Sequence, residues 1–171
     1  MKRRTVALAS LLLLLGSSSG LASSLESSHF TKKYENKVSE FFQLYVVYST
    51  YANMVIAEEV KFNDTTKQYS LVSPFNAVTK GQKLKPNLFS NILEAPVSEE
   101  LPLEIVVLDP DNKMIQAIPM NVNTKEKNTK LTLITTFDSI SFNKIGDYKI
   151  QLFMNWNGEK VKIGQTIIVS R

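Results

Sequence analysis

The chain has 171 residues, 43% hydrophobic and 21% charged, which is the balance of one soluble domain long enough to bury its own core. It has no cysteine, which excludes disulfides, thiolate metal sites, a cysteine nucleophile and a cysteine-linked lipid anchor. The formal net charge of +4 is no argument for nucleic acid: Lys2, Arg3 and Arg4 are the only charged residues among the first 22, and the remaining 149 residues carry 17 basic against 16 acidic groups.

Residues 1–22 read as a secretory signal peptide. A basic start is followed by an apolar run from Val6 to Leu15, a small polar stretch from Gly16 to Gly20, and Gly20-Leu21-Ala22 as the processing site. Cleavage is expected after Ala22, with Ser24 as the alternative. The apolar run is short for a bilayer span, which takes about 20 residues. No second apolar anchor follows, so no stable membrane span is expected once the leader is removed. The expected location is periplasmic or secreted. Without disulfides, a bacterial envelope fits better than a eukaryotic secretory route. Asn63-Asp64-Thr65 is a formal glycosylation sequon, with meaning only in the latter.

Residues 23–45 form a polar N-terminus and one amphipathic helix. Phe30, Tyr34, Val38, Phe41, Phe42 and Tyr45 fall on one helical face, from about His29 to Tyr45. From residue 46 to 171 the chain reads as strands. Leu44 to Tyr51 and Asn53 to Phe62 are rich in β-branched and aromatic residues. Asn63-Asp64-Thr65-Thr66 is a turn, and Gln68 to Phe75 is a strand closed by Pro74. The stretch to Ser98 reads as loop, with a short strand near Asn87 to Leu93.

Leu101 to Leu108 is the next strand, and Asp109-Pro110-Asp111-Asn112 is a tight turn. Lys113 to Met120 returns, Asn121 to Asn128 connects, and Lys130 to Phe137 alternates with Leu131, Leu133 and Thr135 on one face. Gly146 to Asn155 and Lys160 to Val169 flank Asn157-Gly158, a strong hairpin signal. About seven short strands with no helical crossover specify an all-β antiparallel sandwich. Gly146-Asp147-Tyr148 suits the strand entry of an immunoglobulin-like domain, where a tyrosine hydroxyl ties down a corner.

Three stretches carry a family resemblance: Ile56-Ala57-Glu58-Glu59-Val60 with Asp64-Thr65-Thr66 and Ser70 to Phe75; Leu108 to Lys113; and Gly146-Asp147-Tyr148. From Val55 onward the chain resembles an uncharacterised bacterial family of small immunoglobulin-like β-sandwich proteins. Lys67 and Ser73 stand where that pattern has glycines, and Asn112 replaces its turn glycine. The resemblance implies the fold, no known activity and no catalytic residues.

Candidate chemistry is sparse. His29 is the only histidine, so a serine triad or imidazole metal site would have to use it from the N-terminal region. Glu58-Glu59 and Glu99-Glu100 are adjacent acids, which in a strand point to opposite faces and cannot flank one bond. Asp109, Asp111 and Asn112 offer three oxygens where calcium takes six or more, and the turn itself explains them. Lys80, Lys83 and Lys85, and Lys125, Lys127 and Lys130, lack the interleaved aromatics of a nucleic-acid surface. No cofactor or metal site is expected. Trp156, the only tryptophan, sits at a hairpin tip, as a contact residue or folded back on its sheet.

The expectation is therefore an exported, non-enzymatic binding domain for a protein or envelope component, with Trp156, Tyr34, Val38, Phe41 and Phe42 as contacts. The alternatives are an accessory subunit that docks or oligomerises through its N-terminal helix, and a carboxylate-dependent hydrolase. Oligomeric state stays open.

Overall fold

The computed structural model describes residues 49–124 and 129–171. The leader, His29, the N-terminal helix and its face of Tyr34, Val38, Phe41 and Phe42 lie outside the described residues.

Eleven strands follow in order: β1 (Tyr51–Asn63), β2 (Gln68–Pro74), β3 (Ala77–Val78), β4 (Lys83–Leu84), β5 (Asn87–Ala95), β6 (Ser98–Leu108), β7 (Met114–Thr124), β8 (Thr129–Thr136), β9 (Ile140–Ser141), β10 (Gly146–Trp156) and β11 (Glu159–Ser170). One sheet has the order β2-β1-β5-β8 and a second the order β3-β11-β10-β6-β7, with β4-β9 a short separate ribbon. All pairings are antiparallel except β3 with β11.

The chain passes between the two sheets after β2, β3, β5, β7 and β8, the second and last of these crossings running through the β4–β9 ribbon. As a result β5 pairs with β8 and β6 with β10. This interlocking is the Greek key of the immunoglobulin fold, and the short β3 running parallel to β11 completes it. One apolar cluster fills the space between the two sheets. Ile56, Leu88 and Ile92 enter it from the first sheet, and Ile105, Ile150 and Leu152 from the second.

Alternation drives the arrangement. In β10, Tyr148, Ile150, Leu152 and Met154 are buried, and the residues between them are less so. Burying four such side chains contributes on the order of 2 kcal/mol each before chain entropy opposes it. The β10–β11 hairpin closes through Asn157 and Gly158, both left-handed at φ 51° and 84°, the two-residue turn that matches strand twist. Asn63 Oδ1 accepts from the N–H of Thr65 and Thr66, which sets the β1–β2 turn.

The structure differs from the sequence reading first in number: eleven strands, three of them only two residues long, stand where about seven are expected. Residues 87–95 form a nine-residue strand paired on both sides, where a loop with a short strand is expected. Asn87, Ser90 and Asn91 dilute its strand signal, yet Leu88 and Ile92 lie fully in the core. Strand β7 also runs on to Thr124, through the expected connector, because Thr124 Oγ1 donates to Pro96 O at 2.5 Å and accepts from Ser98 N.

Where β11 passes β1 the sheets nearly touch. A Cβ on Gly164 would lie 2.8 Å from Met54 Sδ and 2.9 Å from the Ala52 carbonyl. The register of β10 against β11 shifts beside it, between Leu152 and Phe153.

Candidate functional site

Strand alternation turns Val55, Phe89 and Ile134 away from the core, and register aligns them across three strands. They form an apolar rung on the outer face of the first sheet. Val55 and Ile134 are 38% and 43% exposed. Polar rungs flank it. Thr136 Oγ1 donates to Asn87 Oδ1 at 2.7 Å, and Asn87 Nδ2 donates to the Glu58 carbonyl at 2.8 Å. On the other side Thr132 Oγ1 donates to Asn91 Oδ1 at 2.9 Å.

The rung continues into aromatic rings. Tyr69 lies 5.5 Å from Phe89 and 4.8 Å from Phe62, centroid to centroid, and both Tyr69 and Phe62 are exposed. The Lys67 ammonium sits 5.8 Å from the Phe62 ring. Water covers this surface at a cost that burial against a partner would recover, roughly 25 cal/mol per Å² of apolar area. Asparagine and threonine beside the rings offer hydrogen bonds at its margin. The rung of Val55, Phe89 and Ile134 is wholly apolar, and the Tyr69 hydroxyl and the Lys67 ammonium lie along its aromatic continuation. Its signal in the sequence is faint: Phe89 and Ile134 are apolar residues on the polar parity of their strands.

A second constellation joins the 109–112 turn to the entry of β10. Tyr148 is buried, and its hydroxyl accepts from the Lys144 N–H at 3.0 Å, which is the tyrosine corner that Gly146-Asp147-Tyr148 suggests. Lys144 Nζ donates at 2.6 Å to both Asp109 Oδ2 and Asp111 Oδ2. Asp109 Oδ1 accepts from the N–H of Asp111 and Lys113, each at 2.9 Å. The Lys144 hydrogen bond holds the Asp109 carboxyl below the ordinary aspartate range, against the opposing effect of its burial. Asp109 and Asp111 in turn hold the Lys144 ammonium above the ordinary lysine value. Pro110 packs so closely on Gly146 that a Cβ there would lie 2.9 Å from it. Asn112 Oδ1 accepts from Lys149 Nζ at 2.7 Å, so the oxygens of Asp109, Asp111 and Asn112 are taken by two lysines and the backbone, in a structural clamp.

Trp156 is half-buried and packs against the core cluster. Its indole Nε1 is buried with no partner among the described residues. The ring lines an open depression of about 480 Å³ with Ser98, Glu100, Pro102 and Asn157. Of the paired acids, Glu58, Glu59, Glu99 and Glu100 are all exposed, and Glu59 pairs with Lys61 at 3.2 Å. Among the described residues, Glu100 alone of the carboxylates lines the depression.

No protein-family model and no curated protein matches the chain. Solved structures do. The chain is similar to β-glucuronidase 2 of Bacteroides uniformis at 10% identity and TM-score 0.44, over 69% of this chain and 14% of that one. It is similar to the CARDB domain of a Pyrococcus furiosus protein at 8% identity and TM-score 0.38, covering 71% and 90%. It is also similar to an immunoglobulin-like protein of Pseudomonas aeruginosa at 12% identity and TM-score 0.35, covering 72% and 97%. These scores assign neither activity nor partner, and the chain spans about one seventh of the glucuronidase. Its topology and its tyrosine corner make it a small immunoglobulin-like β-sandwich.

Proposed function

We propose that the protein is an exported, non-enzymatic binding module that holds a protein partner or envelope component on the outer face of its first sheet. The observation that carries this reading is the chain of rings from exposed Phe62 and Tyr69 to half-buried Phe89, flanked by exposed Val55 and Ile134. Single exposed apolar residues are ordinary, but a contiguous patch with polar margins is the form interaction sites take. Export rests on the leader. Trp156 is a second contact point, with Tyr34, Val38, Phe41 and Phe42 as further ones.

The test is capture of envelope components by the immobilised protein, compared with Tyr69→Ser and Phe62→Ser. Both positions are exposed, so each variant should keep its melting temperature and lose at least about tenfold in affinity. Capture that survives both changes and disappears in Trp156→Ala would move the site to the depression. Turnover of a substrate panel, abolished by one carboxylate change, would replace binding with hydrolysis.

A further inference from the structure

Three of the four sheet edges carry a device against further pairing. In β2, Ser73 is left-handed at φ 48° and Pro74 ends the strand. Strand β3 has only two residues. Strand β7 has Pro119 near its centre, with no N–H to offer. The fourth edge, β8, has none of these. Its eight residues, TKLTLITT, include no proline or glycine and one charge, Lys130, and among the described residues it pairs with β5 alone.

The ladder phase fixes which backbone groups are free. Phe137 N donates to Pro86 O at 3.0 Å, in register with the β5–β8 pairing. Odd-numbered residues of β8 therefore bond to β5, and the N–H and C=O of Thr132 and Ile134 point outward.

We propose that β8 pairs antiparallel with β8 of a second copy, about a two-fold axis through Thr132, so that two four-stranded sheets become one of eight. A two-fold interface must be self-complementary, and side chains on a shared face must match in parity. The axis at Thr132 meets both conditions. It sets Leu131 beside Leu133 of the second copy, twice, on the core-facing side where both are half-buried. It places Lys130 opposite Ile134, so the two lysines stay apart. It forms about six backbone hydrogen bonds between the chains. Moving the axis to Leu133 would set Leu131 against Thr135 and lose one leucine pairing. The pairing rests on the backbone edge and not on the proposed binding surface, beside which it sets Lys130 of the second copy against Ile134.

The absence of cysteine makes an introduced one a clean reporter. Sedimentation equilibrium of the full chain should give a mass that rises toward twice that of the chain with concentration. Oxidised Thr132→Cys should form a covalent dimer, and Lys113→Cys, in an exposed turn, should not. Thr132→Pro removes an outward N–H and leaves the backbone ladder to β5 in place, giving up only the side-chain hydrogen bond to Asn91, and should raise the dissociation constant at least about tenfold. A monomer at every concentration overturns the proposal. So does equal cross-linking at residues 113 and 132, or association undiminished in Thr132→Pro.

Discussion

Lys67 and Ser73 adopt left-handed backbone, at φ 56° and 48°, at two of the three positions where the resembling family has glycine. A residue with a Cβ costs roughly 1–2 kcal/mol there, partly offset because glycine loses more freedom on folding. Ser73→Gly should therefore stabilise the domain by about 1 kcal/mol, read as a shift in the urea midpoint with unchanged slope. Lys67→Gly should gain less, since its ammonium lies over Phe62 and 3.8 Å from Asp64, exposed contacts worth a few tenths of a kcal/mol together. Equal gains at both would mean those contacts contribute nothing. Gly164→Val should cost about 3 kcal/mol or more, because its neighbours include the Ala52 backbone, which cannot swing aside. Asn112, at φ 60°, is a milder case, as asparagine tolerates this conformation.

At the scale of elements, the corner at the start of β10 is held by one hydroxyl and one clamp. Tyr148→Phe keeps the buried ring and its edge contact with Phe142 at 4.9 Å, and loses only the hydrogen bond from Lys144 N. We expect about 1–2 kcal/mol of lost stability, with faster amide exchange at residue 144 as the local sign. The strand periods of β8, β10 and β11 were legible in the sequence, since Leu131 and Leu133, Tyr148, Ile150, Leu152 and Met154, and Val161 and Ile163 recur with period two. Strand β5 was not. Its polar residues serve the outer face, where Asn87 and Asn91 receive hydrogen bonds from Thr136 and Thr132 that no local pattern announces.

For the whole molecule, pH acts through the clamp. Asp109 is held below the ordinary aspartate range, so its contribution is complete above that range and is lost as pH falls through the lowered value. Lys144 is held above the ordinary lysine value, so its contribution is complete below that value and is lost only as pH rises through the raised one. Stability should be flat across the neutral range, with a falling acid limb. In Lys144→Met the acid limb should become shallower, measured by urea midpoints over a pH series. An unchanged limb would assign acid sensitivity to other carboxylates.

Sequence alone determined the class of fold, most strand positions, the 157–158 hairpin and the tyrosine corner. Each is set by residues close in the chain: alternation by the pleat, the turn by backbone angles that Asn157 and Gly158 tolerate, the corner by a tyrosine four residues from its partner. The tertiary structure decided what lies together from far apart. It joined Asp109 to Lys144 and Pro110 to Gly146, assembled Val55, Phe89 and Ile134 into one rung, and turned Trp156 onto the core. Those contacts depend on strand order and register, which are fixed by how two sheets close over a shared apolar layer and not by any single stretch of residues.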